Sequence, residues 1–180
     1  MKKENLFQYV LRLTVTLLLI TGVVAAALAG VNAITKDSIA ANQLKKTQDA
    51  LATVLPNTHG LQQLPLSGEA GIVQEVYTAG GNYAVKVAPS GFGGPVTMMV
   101  GIVDGAVSGI SVISHAETPG LGALAAAQNA KGEAFRSQFV GQSGELSVGN
   151  QIDALSSATI TSNCVVAGVN AALAYVANMG

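Results

Sequence analysis

Between Leu13 and Thr35 the chain carries no charged residue, and its only polar side chains there are threonines and Asn32. A helix of about 20 apolar residues crosses the ~30 Å hydrocarbon core of a bilayer, so this stretch is long enough to span one. Composition agrees, because charged residues make up only 11% of the chain and hydrophobic residues 49%. The charged share is low and the apolar share high for a small soluble protein, which places part of the chain in lipid. Lys2, Lys3 and Arg12 precede the run, which favours a cytoplasmic N-terminus, although Lys36, Lys45 and Lys46 lie beyond it. A cleaved signal peptide is the competing reading: a basic start, an apolar middle and the small-residue tail Ala25-Ala26-Ala27-Leu28-Ala29. The apolar run is longer than a usual signal core, so we expect residues 1–35 to hold a single transmembrane anchor.

Ile34, Ile39, Leu44, Leu51 and Leu55 continue at loosely helical spacing among Lys, Asp, Gln and Asn. This reads as an amphipathic extension that ends at Pro56, which lacks a backbone donor and disfavours helix in the residue before it. Asn57 to Gly71, with Gly60, Pro65 and Gly68, reads as a connecting loop, so residues 36–71 join the anchor to the rest of the chain.

With the anchor subtracted, 180 residues leave room for one globular domain, here residues 72–180. A net charge of -1 offers nothing to attract nucleic acid. No tryptophan and 4% aromatics make no base-stacking or sugar-binding platform. Cys164 is alone, which excludes an internal disulfide and a cysteine metal cluster. The only histidines, His59 and His115, are far apart, and no metal is expected. Redox chemistry in this chain would need an organic cofactor.

Ile72–Ala79 and Asn82–Ala88 alternate around Gly80-Gly81, a β-hairpin signature. After the loop Gly91-Phe92-Gly93-Gly94-Pro95, Val96–Val103 and Ala106–Ser114 flank Asp104-Gly105, a second hairpin. Leu124–Phe139 reads as helical, in two pieces broken near Gly132. Ser162–Met179 reads as a longer buried helix, punctuated by Asn163, Asn170 and Asn178. The expected fold class is α+β: one N-terminal transmembrane helix, then an antiparallel sheet of about four strands or more packed against helices.

Two motifs carry chemistry. Asp153-Ala154-Leu155-Ser156-Ser157-Ala158-Thr159-Ile160-Thr161-Ser162 lies directly before the last helix. A Ser/Thr run in that place most simply caps the first turn, with Thr161 and Ser162 the candidate caps. The same N–H groups and the positive end of the helix dipole also make a phosphate site, where a threonine hydroxyl can be phospho-esterified. The small Ser156, Ser157 and Ala158 leave the backbone open to a bulky nucleotide. The second motif, His115-Ala116-Glu117-Thr118-Pro119-Gly120-Leu121-Gly122, leaves the second hairpin. Pro119 and Gly120 enforce a turn there. Glu117 and Thr118 are thereby presented from a tight loop, either as a ligand rim or as plain surface.

Together these residues resemble a known family. Asp153 through Thr159 is similar to the flavinylation motif of the FMN-binding domain, roughly Asp, two variable residues, Ser or Thr, Gly, Ala, Thr. His115 to Gly122 is similar to that domain's Glu-Thr-Pro-Gly-Leu-Gly loop, and Gly91–Gly94 leading into Val96–Ile102 also resembles it. Ser157 departs from the pattern, standing where the family usually has glycine.

Such domains occur in the G subunits of Rnf complexes and in the longer C subunits of sodium-pumping quinone reductases. The short spacing between anchor and first hairpin resembles the G subunits. The resemblance implies FMN joined through its phosphate to Thr159, installed from FAD by a separate flavin transferase. It further implies Ser156, Ser157, Ala158, Glu117, Thr118, Gly120, Leu121 and Gly122 as neighbours of the cofactor. Glu117 and Thr118 would lie beside the ring or ribityl chain, and Leu121 and Phe92 would offer apolar contact. The implied place is the inner membrane, with the flavin domain on the extracytoplasmic side and other subunits of a ferredoxin:NAD redox complex as partners. Competing readings are a tethered or secreted FMN protein serving an extracellular acceptor, and a non-redox assembly subunit. A hydrolase built on Ser156 or Ser157 with His115 is weaker, for want of a triad context.

Overall fold

A computed structural model describes residues 6–68 and 70–179. Lys2 and Lys3 of the expected basic flank lie outside the described residues, as does Gly180.

The apolar run folds as part of one long helix, α1 (Leu6–Val54), and the chain divides into two compact units after Lys45. In the first unit Leu17, Leu18 and Val23 are each about two-thirds exposed, which a bilayer rather than water accommodates. The hydroxyls of Thr14, Thr16, Thr21 and Thr35 donate back to the carbonyls of Val10, Arg12, Leu17 and Val31 at 2.8–2.9 Å. Each of these hydroxyls is thus satisfied within its own helix, as hydrocarbon demands. Of the expected amphipathic stripe, Ile34, Ile39 and Leu44 are exposed, while Leu51 and Leu55 are buried.

The second unit is built on an antiparallel meander of five strands in sequence order: β1 (Gln62–Leu64), β2 (Val73–Ala79), β3 (Asn82–Val87), β4 (Thr97–Val103) and β5 (Ala106–Ser114). Both hairpin tips follow from their sequences. Gly80 and Gly81 have φ of 59° and 87°, and Asp104 and Gly105 have 52° and 77°; two successive positive φ values are what a two-residue tip matched to strand twist requires. β1 is a correction to the expected loop, since its short polar stretch pairs with the free edge of β2.

One sheet face carries the main core. Val76, Val85, Val87, Met98 and Val100 pack there with Val165, Val166 and Val169 of the last helix, α3 (Thr159–Ala177). The other face receives the end of α1, where Ala50, Leu51, Val54 and Leu55 pack with Ala79, Ala84 and Met99. Gly101 and Gly109 sit opposite each other in β4 and β5 and leave a trough for Val54, whose carbonyl accepts from the Ser108 hydroxyl.

The stretch expected as helical in two pieces broken near Gly132 is a 3-10 turn, Gly122–Ala125, followed by α2 (Ala130–Ser137). The break falls at Asn129, whose side chain caps α2 by accepting from the Gly132 N–H at 3.0 Å. Arg136 closes the gap by donating to the carbonyls of Ala125 and Ala127 at 2.8 and 3.0 Å. α3 itself begins at Thr159, three residues before the expected start at Ser162.

Candidate functional site

Three segments distant in sequence meet at the start of α3. They line a cavity of about 380 Å³ with Phe92, Glu117, Thr118, Leu121, Gly122 and residues 157–161, a volume within the range of small-molecule sites. Thr159 is the first residue of α3 and is exposed. Ser162 is the first residue whose N–H closes on a helical carbonyl, that of Ala158 at 3.0 Å. Among the described residues no side chain caps the helix. The N–H groups of Thr159, Ile160 and Thr161 are therefore free to meet an anion, with the helix dipole favouring negative charge.

Thr161 and Ser162 are not the caps expected of them. Ser162 accepts from the Leu155 N–H at 2.9 Å and donates to the Ala158 carbonyl at 3.0 Å, tying the turn before the helix to its first turn. The buried Thr161 hydroxyl donates to Glu117. Ser157 takes φ of 60° in the left-handed region, which accounts for the glycine usual at this position in the family it resembles. That conformation costs an L residue about 1–2 kcal/mol, against which glycine loses about 0.5–1 kcal/mol more chain entropy. Ser157→Gly is therefore expected to stabilise the chain by about 0.5 kcal/mol, read as a small rise in melting temperature. A fall would mean that the serine hydroxyl makes a compensating bond.

The Glu117 loop is shaped by the turn Thr118-Pro119-Gly120-Leu121. Gly120 has φ of 77°, and the Leu121 N–H donates to the Thr118 carbonyl at 3.2 Å, the pattern of a type II turn. Glu117 is not presented as an open rim carboxylate. It is 6% exposed, and one oxygen accepts from the Gly93 N–H at 2.9 Å while the other accepts from Thr161.

Of the other residues expected around the cofactor, Thr118, Leu121, Gly122, Ser157 and Ala158 line the cavity with Thr159, whereas Ser156 and Gly120 lie outside its lining. Ile160 lines it too, which the sequence reading missed; its position next to Thr159 was the available signal. Phe92, Ile160 and Leu121 remain 69%, 56% and 41% exposed. Three large apolar side chains left in water around one cavity are suited to a flat apolar ring.

The hydrolase reading fails on geometry. His115 accepts the Glu117 N–H on Nδ1 at 3.2 Å and lines a different cavity, with Lys46, Asp49 and Gln128, so it makes no dyad with Ser156 or Ser157. Burial, and then the charge on Glu117, push the Cys164 thiol up to about 11, leaving it protonated and unreactive at neutral pH. Among the described residues no group of His, Cys, Asp and Glu gathers to hold a metal.

An uncapped helix start bearing an exposed threonine thus opens on an apolar-rimmed cavity beside an antiparallel sheet. A family model described as "FMN-binding domain" matches residues 91–174, and one described as "RnfG N-terminal region" matches residues 1–54. The chain is 32% identical to the G subunit of the Na(+)-translocating ferredoxin:NAD(+) oxidoreductase complex of Acetobacterium woodii, over 96% of this chain and 94% of that one. It is 30% identical to the G subunit of the ion-translocating oxidoreductase complex of Methanosarcina acetivorans, over 92% and 93%. The G subunit of the proton-translocating ferredoxin:NAD(+) oxidoreductase complex of Clostridium ljungdahlii is 37% identical over 52% of each chain. The chain belongs to the family of G subunits of Rnf-type ion-translocating oxidoreductase complexes.

Proposed function

We propose that this protein is the flavin-bearing electron-transfer subunit of a membrane-bound, ion-translocating ferredoxin:NAD oxidoreductase, with FMN joined by a phosphoester to Thr159. The observation that carries this reading is the exposed Thr159 hydroxyl at the uncapped start of α3, beside an apolar-rimmed cavity. The similar proteins of Acetobacterium woodii and Clostridium ljungdahlii, named as G subunits of such complexes, supply the overall reaction.

The residues present fit the cofactor. The open N–H groups of the first turn of α3 would hold the phosphate, and Phe92, Leu121 and Ile160 would shield the ring from water. When bound, FMN supplies the redox chemistry; the chain places it and, by the covalent tether, prevents its loss outside the cytoplasm. Attachment balances as a phosphoryl transfer from FAD, brought by a flavin transferase. The Thr159 oxygen bonds to the phosphorus of the FMN half and the phosphoanhydride bond breaks. AMP leaves with the electron pair, and the hydroxyl proton passes to solvent. Nothing is oxidised or reduced in that step.

The test is intact mass and in-gel flavin fluorescence of the full chain co-produced with a flavin transferase. The expected result is a gain of one FMN less one water, on the peptide containing Thr159. An unshifted mass would refute the covalent reading. The same reading puts the N-terminus in the cytoplasm, α1 across the membrane, and the sheet domain outside among the other subunits. The protein should then start at or near Met1 and stay with membranes in alkaline carbonate. A start after Ala27 or Ala29, with release by carbonate, would replace the anchor by a cleaved signal.

A further inference from the structure

Glu117 is the most fully enclosed charge at the site. It is buried, no basic side chain pairs with it among the described residues, and its two oxygens are spent on two other segments. Its Oε1 accepts from the Gly93 N–H at 2.9 Å, its Oε2 accepts from the Thr161 hydroxyl, and its own N–H donates to His115 Nδ1 at 3.2 Å. Burying a carboxylate is costly, and one left half-bonded is worse, so such a group persists where its bonds hold something in place.

The glycines around it explain themselves by the same group. A Cβ on Gly91 would run into Glu117 Oε1, and a Cβ on Gly122 into Glu117 Oε2 and the Thr161 hydroxyl. A Cβ on Gly93 would strike the Ala116 carbonyl, on the residue just before Glu117. Gly91 and Gly122, from two loops, therefore make a socket for the carboxylate, and Gly93 lets the loop backbone close against Ala116. Yet Gly91 and Gly93 lie outside the lining of the cavity, which only Gly122 of the three joins.

The two bonded segments carry the two sides of the cavity. Gly93 follows Phe92, and Thr161 lies two residues after Thr159 in the first turn of α3. That turn has no side-chain cap, so the Thr161–Glu117 bond is its link to the loops opposite. From this geometry we infer that Glu117 is a positioning residue of the flavin-accepting site: its two oxygens bracket the Phe92 loop to the start of α3 and so set where the Thr159 hydroxyl stands. The role rests on Thr159 being the attachment point, and it assigns Glu117 no contact with the flavin. Thr161 becomes half of the bracket rather than a second acceptor.

The test uses two readouts on the full chain in detergent, purified without flavin. One is the rate of covalent FMN incorporation from FAD by a purified flavin transferase. The other is hydrogen exchange at Gly91–Gly94 and at the first turn of α3 before loading. Thr161→Val keeps the side-chain shape and removes only the helix-side bond. It is expected to slow incorporation about tenfold in kcat, since misplacing a reacting atom by an ångström costs that much or more. Exchange should rise in both segments together, although Thr161 belongs to only one of them. Thr161→Ser should rescue both readouts.

Glu117→Ala should slow incorporation at least as much, with Glu117→Gln recovering part, because an amide can accept from Gly93 N–H and donate to the Thr161 oxygen. Should Glu117→Ala fail to fold, the Thr161 pair decides alone. Wild-type incorporation and separate exchange behaviour in Thr161→Val would overturn the bracket while leaving Thr159 as the attachment point. A wild-type chain that takes flavin elsewhere, or not at all, would sink the Thr159 reading and this role with it.

Discussion

Thr159→Val is expected to abolish covalent flavin while the chain still folds. The loss should be complete, because valine copies the shape of threonine and removes the one oxygen the phosphoester needs. Stability should change by no more than about 0.5 kcal/mol, because the side chain is exposed and its hydroxyl secures no buried partner. Denaturing gels read for flavin fluorescence, alongside a melting curve of the same preparation, separate the two effects. Fluorescence persisting in the variant would move the attachment elsewhere. Thr161 is the other threonine of that turn, but the structure buries its hydroxyl against Glu117, so the exposed Thr118 on the cavity wall would be the first residue to examine.

Gly101→Ala should produce a large loss of stability. A Cβ there would meet the Val54 carbonyl and Cβ and the Ser108 hydroxyl, all closer than real contacts allow. The obstruction includes backbone, so the end of α1 must lift from the sheet or the sheet must bend. Overpacking of this kind costs about 1–3 kcal/mol, which in a domain of this size lowers the melting temperature by roughly 3–12 °C. Gly109→Ala is the internal comparison: its Cβ would stand 3.6 Å or more from the same helix end, ordinary contact, and the change should cost far less. Equal effects from the two would mean that strand propensity, rather than the seat of α1, governs these positions. Neither glycine lines the cavity, so flavin incorporation per folded chain should survive both changes.

What the sequence could announce was whatever depends on near neighbours. Gly80-Gly81 and Asp104-Gly105 mark their turns because positive φ is a property of the residues at the tip. Leu13–Thr35 announces a long apolar helix because length and the absence of charge suffice. The Ser/Ala/Thr run before α3 and the Glu-Thr-Pro-Gly-Leu-Gly loop were legible as motifs, and the structure brings them to one cavity. The helix break expected near Gly132 falls at Asn129, since a side-chain cap outweighs the weak local preference of one glycine.

The roles of the motif residues were another matter. Thr161 reads as a cap when only its own helix is in view; its actual partner is 44 residues away, and that partner's other ligand is 24 residues away in the opposite direction from Thr161. Glu117 reads as a presented carboxylate until Gly91 and Gly122 are seen closed around it. β1 has no pattern of its own and exists because β2 offers an unpaired edge. The sequence by itself thus determined the apolar N-terminal helix, the hairpins and the threonine at the helix start, because each is decided within a few residues. Tertiary structure alone decided which polar groups are buried together, since the cost of burying a charge depends on donors that only the folded chain brings within reach.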